Sequence, residues 1–202
     1  MKKLVMTVAL ALCVPVETTA QTCGSRAIIG AAAGWLNVDI PVDPELAGVG
    51  RHGLAEAGNG LEGSVHASFP ISSTWSVLAE FGAGSPDVFV ERDASGDYMR
   101  TRTGDDIALR RLQVGLVRYD VGRYACAYWS VRAALYRFAY GGVILNAPGA
   151  AGAIGIEVPV AESGSVFVET ELNVTLTKAR PPISPAGALA NVRPALGFRY
   201  RF

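Results

Sequence analysis

The sequence predicts an all-β fold, an eight-stranded antiparallel up-and-down transmembrane β-barrel, and three observations predict it. From about Ser25 onward, apolar residues alternate with polar or very small ones in segments of about ten residues, separated by clusters of Gly, Pro, Asp and Ser. The connections between those segments are long and short by turns, as a barrel crossing a membrane requires when its turns are tight on one side and its loops free to grow on the other. The polar face is poor in lysine and sets arginines against glutamates among Gly, Ala and Ser, which suits a packed lumen better than a solvated surface.

The N-terminus comes first along the chain. Lys2 and Lys3 precede an apolar run over 4–14, Pro15 ends that run, and Thr18, Thr19 and Ala20 supply the small residues that a signal peptidase reads. Residues 1–20 are therefore expected to be an export signal cut after Ala20, leaving 21–202 as the barrel. No stretch of 18 or more apolar residues occurs anywhere in the 202, so no transmembrane helix can be written. Eighteen basic residues balance 18 acidic ones, and no basic block is longer than Arg110-Arg111, so the electrostatic footprint of a nucleic-acid binder is missing. A chain that is 50% hydrophobic and only 18% charged is not a disordered one. After residue 20, Lys178 is the only lysine, so nearly all the cations are arginines, the side chain suited to planar, multi-donor pairing.

The alternation places eight strands near 25–37, 60–70, 75–84, 106–118, 125–139, 151–159, 165–177 and 190–202. In the second, Leu61, Val65, Ala67 and Phe69 oppose Glu62, Ser64, His66 and Ser68. The third sets Trp75 and Phe81 against Glu80, the fourth contributes Arg111, and the sixth contributes Glu157. The fifth sets Trp129, Val131 and Leu135 against Tyr128, Ser130, Arg132 and Tyr136. In the seventh, Val166, Val168, Leu172, Val174 and Leu176 face away from Glu169, Glu171, Asn173, Thr175 and Thr177. The last is the clearest, with Val192, Pro194, Leu196, Phe198, Tyr200 and Phe202 on one face and Asn191, Arg193, Ala195, Gly197, Arg199 and Arg201 on the other. The intervening segments are 38–59, 71–74, 85–105, 119–124, 140–150, 160–164 and 178–189, long and short in turn.

Alternation alone does not say which face points inward. A closed eight-stranded barrel has room inside only for side chains. Ten ions share the polar face, Glu62, Glu80, Glu157, Glu169 and Glu171 against Arg111, Arg132, Arg193, Arg199 and Arg201. Five of each sign, each in need of a partner once desolvated, are expected to form a lumen ion network with the apolar face turned to lipid. The outward aromatics Trp75, Phe81, Trp129, Phe198, Tyr200 and Phe202 are then expected near strand ends as interfacial girdles.

The ending Phe198-Arg199-Tyr200-Arg201-Phe202 resembles the assembly signal that closes bacterial outer-membrane proteins, and with eight strands the chain is similar to the small OmpA/OmpX-type barrel superfamily. That resemblance implies a place in the bacterial outer membrane among its lipids and lipopolysaccharide, insertion by the barrel assembly machinery, and an assembly role for Phe198, Tyr200 and Phe202. It implies no single shared activity.

Cys23 and Cys126 both fall at periplasmic strand ends. A disulfide and two free small residues are both open to them, since a bridge would carry the N-terminal tail beneath the lumen from strand one to strand five. His66 and Ser68 share a face and resemble the His-x-Ser pair of barrel-type lipid A deacylases, but their place on the lumen side reads better as a hydrogen-bonded histidine. His52 stands beside Arg51 in the first long loop. No Cys-x-x-Cys, helical His pair or Asp-rich calcium loop is present, so neither a metal nor a cofactor is expected. Loop 85–105 reads as a protruding hairpin turning at 93–97, an exposed edge to which an extracellular partner could add a strand. Arg180-Pro181-Pro182-Ile183-Ser184-Pro185 stiffens the last loop and strips it of donors. The expected function is a non-enzymatic outer-membrane barrel with a plugged polar lumen, structural or adhesion-type. A narrow pore for small or apolar solutes is second and a lipid A-modifying enzyme third.

Overall fold

Residues that alternate every second position bury one side of a strand and expose the other, and throughout the chain they form antiparallel ladders. In a computed structural model, residues 23–42, 54–94, 97–122, 124–177 and 187–202 are described. The export signal at 1–20, His52, and the Pro-rich segment 180–185 lie outside the described residues. The strands are β1 (Ile28–Val42), β2 (Leu54–Pro70), β3 (Trp75–Ala94), β4 (Asp97–Asp106), β5 (Ala108–Val121), β6 (Cys126–Tyr140), β7 (Val143–Pro159), β8 (Gly164–Thr177) and β9 (Gly187–Arg201). Neighbours in the chain pair with one another except β4 and β5, which both pair with β3, and β9 returns to β1 with Ile29 opposite Tyr200. The result is a closed eight-stranded antiparallel barrel, to which β4 is an appendage.

Beyond the barrel rim the wall continues as a partial sheet. The far half of β3, from Asp87 to Ala94, pairs with β4 on one side and, from Val88 to Glu91, with β2 on the other. The end of β1 pairs in turn with β2 from Ile40 to Val42. Ile107 separates β4 from β5, its N–H donating to the Pro86 carbonyl at 3.1 Å. Four strands thus protrude, and among the described residues the outer edge of β4 has no partner strand.

The expected strand set is altered in three places. The fourth strand, expected at 106–118, runs from Ala108 to Val121 as β5, and the third runs ten residues past its expected end at 84 with β4 returning beside it, which is the protruding hairpin expected in 85–105, its arms meeting at Ala94 and Asp97 within the expected turn 93–97. Register shifts between Ala57 and Gly60 and between Asp87 and Phe89 carry the ladder past Pro86 without ending it. The loop expected at 140–150 is a two-residue hairpin. Gly141 and Gly142 both adopt positive φ, 57° and 79°, which joins Tyr140 to Val143 directly and starts β7 eight residues before the expected 151. The small residues of β7 that look like a loop instead clear space for lumen aromatics: a Cβ on Gly155 would stand 2.4 Å from the Tyr128 ring, and one on Gly149 2.8 Å from that of Tyr136.

Burial shows which face is which. Leu61 is 67% exposed and Ile154 68%, whereas Arg132 is 2% exposed and Glu171 0%. The outside is an apolar wall of Leu, Val, Ile and Phe, and the inside carries the charges. Such a surface is stable against hydrocarbon and unstable against water. At the end that holds both termini, Trp75 packs edge-on against Trp129 at 5.4 Å, with the Arg118 guanidinium 5.9 Å above the Trp75 ring. Phe198, Tyr200 and Phe202 point outward at the same end, Tyr200 and Phe202 edge to face at 5.1 Å. Phe81 is the exception among the expected girdle residues. It sits between Val65 and Leu112, well inside the apolar band.

Candidate functional site: a sealed lumen beneath a protruding sheet

An eight-stranded barrel encloses a column about one side chain wide, and here that column is filled in three tiers. The tier nearest the termini is built by β1, β3, β5, β6 and β8. Ile28, Leu78, Val117, Tyr119, Tyr128 and Phe167 pack around a disulfide between Cys23 and Cys126, whose Cα atoms are 6.4 Å apart. The tail therefore does cross the mouth of the barrel, which its residues make feasible. Gly24 turns with φ of 86° against the Tyr119 ring, and its carbonyl accepts from Ser76 Oγ at 3.3 Å. Just above, Glu157 accepts from Arg199 at 2.7 Å, from Arg201, and from Ser165 at 2.5 Å. The Arg199 guanidinium lies 4.1 Å from the Phe167 ring centroid and 4.4 Å from that of Tyr128, a cation held between two faces.

The middle tier joins the remaining seven ions. Arg111 reaches Glu62 at 2.6 Å, Glu80 at 2.5 Å and Glu171 at 3.0 Å. Arg132 reaches Glu80 at 2.9 Å, Glu169 at 2.8 Å and Glu171 at 2.6 Å. Arg193, from the opposite wall, reaches Glu62, Glu80 and Glu171 at 3.0 to 3.2 Å. All ten of the expected lumen ions are thus in one buried column, with one carboxylate for every guanidinium. Arg111, Arg132 and Arg193 each meet at least three carboxylates, which uses a planar fork of five donors where lysine has three on one point charge. Gln113 extends the network to Glu171 and Asn173 at 3.1 Å each, and Tyr136 donates to Asn173.

The third tier is apolar. Leu36, Val88, Ile107, Leu109, Tyr136, Phe138, Tyr140, Leu145 and Ala147 form a buried cluster at the far end, beneath the protruding sheet. The narrow interstice left beside His66, between Ser64, Glu80, Arg132, Glu169 and Arg199, has no room for a water-sized sphere.

The histidine and serine of the second strand take no catalytic arrangement. His66 Nε2 accepts from Arg199 Nε at 3.1 Å and its ring meets Phe167 edge-on, while Ser68 Oγ has no hydrogen bond among the described residues. The nitrogen that would act as base is occupied by a guanidinium. Glu80, Glu169 and Glu171 bring carboxylate oxygens within 4.8 Å of one another, a spacing that could hold a metal ion, but each already faces guanidiniums. Gln113, Phe167 and the far apolar cluster apart from Tyr136 went unread as lumen residues in the sequence. Parity could have found the first two, since Gln113 follows Arg111 by two positions and Phe167 precedes Glu169 by two.

No protein-family model and no curated protein matches the chain. Solved structures do. Neisserial surface protein A superposes with a TM-score of 0.59 over 87% of this chain and 97% of its own, at 12% identity. The outer membrane protein OprG from Pseudomonas aeruginosa gives 0.56 over 89% and 97%, at 14% identity. The outer membrane protein AlkL, solved in DMPC lipid bilayers, gives 0.52 over 94% and 95%, also at 14% identity. The chain therefore has the fold of the small eight-stranded outer-membrane β-barrels.

Proposed function

We propose that this protein is a non-enzymatic outer-membrane barrel whose lumen is closed and whose work is done by the sheet it raises above the membrane. The observation that carries the reading is the pairing of a lumen column of five guanidiniums against five carboxylates with a sheet that continues past the rim and, among the described residues, ends on an unpartnered edge. A conduit needs a continuous water path, and a column of interlocked guanidiniums and carboxylates gives no place for one. An open strand edge offers unpaired backbone donors and acceptors to an incoming extended segment. Neisserial surface protein A is named for a surface location, and that location is proposed here as well. Export through residues 1–20, cut after Ala20, and delivery by an assembly signal comprising Phe198, Tyr200 and Phe202 belong to the same reading. So does insertion by the barrel assembly machinery, among outer-membrane lipids and lipopolysaccharide.

The test has two arms on one preparation. Purified protein in planar bilayers is expected to give no discrete conductance steps, and steps would replace this reading with the narrow-pore one. Cells displaying the chain are expected to retain extracellular extended peptides or surface proteins. A variant with 88–102 replaced by a two-residue turn is expected to lose that binding while still shifting on heating in gels.

A further inference from the structure

Outward arginines are rare on a lipid-facing wall, and two of the described ones stand side by side at the far rim. Arg110 of β5 is directly opposite Arg137 of β6, and the row continues to Ala83 of β3 on one side and Asn146 of β7 on the other. All four are exposed on the outer face of the barrel. Like charges directly opposite one another across a ladder destabilise it unless something compensates them. Neither arginine has an ion pair or ring contact among the described residues. The outward arginine at the other rim is different: Arg118 has Asp120 at 3.8 Å and the Trp75 ring beneath it. Among the described residues, one rim neutralises its outward cation and the other does not.

What lies beside the pair narrows the chemistry. One step toward the membrane centre the wall is Leu112, 50% exposed, opposite Leu135, 51% exposed, with Phe81 next to Leu112. One step away from it are Ala108 and Ala139, small enough to leave the guanidiniums approachable. Two planar cations over a greasy wall match an anionic headgroup carried on acyl chains, and guanidinium forks bind phosphate in two-point fashion.

We infer that Arg110 and Arg137, assisted by Asn146, form a clamp for a phosphate of the outer-leaflet glycolipid, lipopolysaccharide. The inference rests on the outer-membrane reading, which makes the rim remote from the termini the outer one. The phosphorylated glycolipid is favoured over a phosphatidyl headgroup because the outer leaflet presents several phosphates at one depth, and a two-arginine row engages more than one oxygen face.

The test uses the purified barrel refolded into phosphatidylcholine vesicles containing lipopolysaccharide, lipopolysaccharide dephosphorylated on its lipid A, or phosphatidylglycerol. Lipid retained per barrel after detergent exchange is the readout. Wild type is expected to retain the phosphorylated glycolipid about tenfold or more above the dephosphorylated form, and R110Q/R137Q is expected to fall to the dephosphorylated level, as for the loss of two charge-assisted contacts. R110K/R137K, which keeps the charge and loses the fork, is expected to fall between. Equal retention by R110Q/R137Q, or equal retention of phosphatidylglycerol, overturns the clamp. Heat-modifiable migration and insertion into plain phosphatidylcholine are read in parallel. A barrel that inserts but shows no phosphate preference loses only the clamp, whereas a chain that does not insert loses the membrane reading with it.

Discussion

Arg111 holds three carboxylates at once, those of Glu62, Glu80 and Glu171, and is 1% exposed. Removing one partner from a buried ion pair costs about 3 to 5 kcal/mol, because the other charge stays buried without compensation. Arg111→Leu is therefore expected to lower the temperature at which the folded gel band converts to the unfolded one. Adding Glu62→Gln, which removes one of the stranded charges, is expected to recover part of the loss. If the single substitution leaves that temperature unchanged, the column does not stabilise the barrel. At this scale much was legible beforehand. Parity put all ten ions on one face, because a strand turns side chains over every second residue regardless of what surrounds it. Which arginine meets which glutamate was not legible, since Arg193 and Glu62 are 131 positions apart and are brought together only by closure of the barrel. The disulfide was open for the same reason: Cys23 and Cys126 are 103 residues apart, and pairing depends on whether Gly24 can turn beneath Tyr119.

β7 shows what period two reveals about an element and what it hides. Its lumen face alternates as expected from Ala151 to Glu157, but the Ala, Pro and Gly residues before Ala151 carry too little hydrophobicity to declare a strand. They are strand because the facing lumen is already full. Tyr128 and Tyr136 of the neighbouring β6 lie over β7 on the lumen side, and glycine on β7 is what makes room for them. Gly155→Leu is accordingly expected to force the Tyr128 ring off the Arg199 guanidinium and to destabilise the barrel by about 1 to 3 kcal/mol, the usual cost of overpacking. Tyr128→Ala in the same chain should relieve much of it. Independent, additive losses would mean the two residues do not share space. The β3–β4 extension was legible as a hairpin turning at 93–97, but not as a continuation of the barrel wall. Only the bulges shared with β2 and β4 carry the ladder past Pro86.

For the whole molecule, one orientation organises everything else: charge inside, hydrocarbon outside. A soluble eight-stranded barrel would need the reverse, and its exterior could not leave Leu61, Ile154 and Phe69 more than half exposed while hiding ten ions. Two adjacent residues of β9 test it directly. Leu196 is 55% exposed and Ala195 5%, and successive side chains of a strand point to opposite faces. Single cysteines at these positions, each carrying an environment-sensitive fluorophore attached before refolding into phosphatidylcholine vesicles, are expected to separate cleanly. The probe at Leu196→Cys should be quenched by brominated acyl chains, because it projects into them. At Ala195→Cys the small lumen site leaves no room for a fluorophore, so labelling there should block refolding, while the unlabelled variant still folds and resists a water-soluble maleimide. Quenching at neither position, together with rapid aqueous labelling at Leu196→Cys, would place the apolar wall in water. The bilayer reading would then fail, and the proposed surface role and the phosphate clamp, which both depend on it, would fail with it.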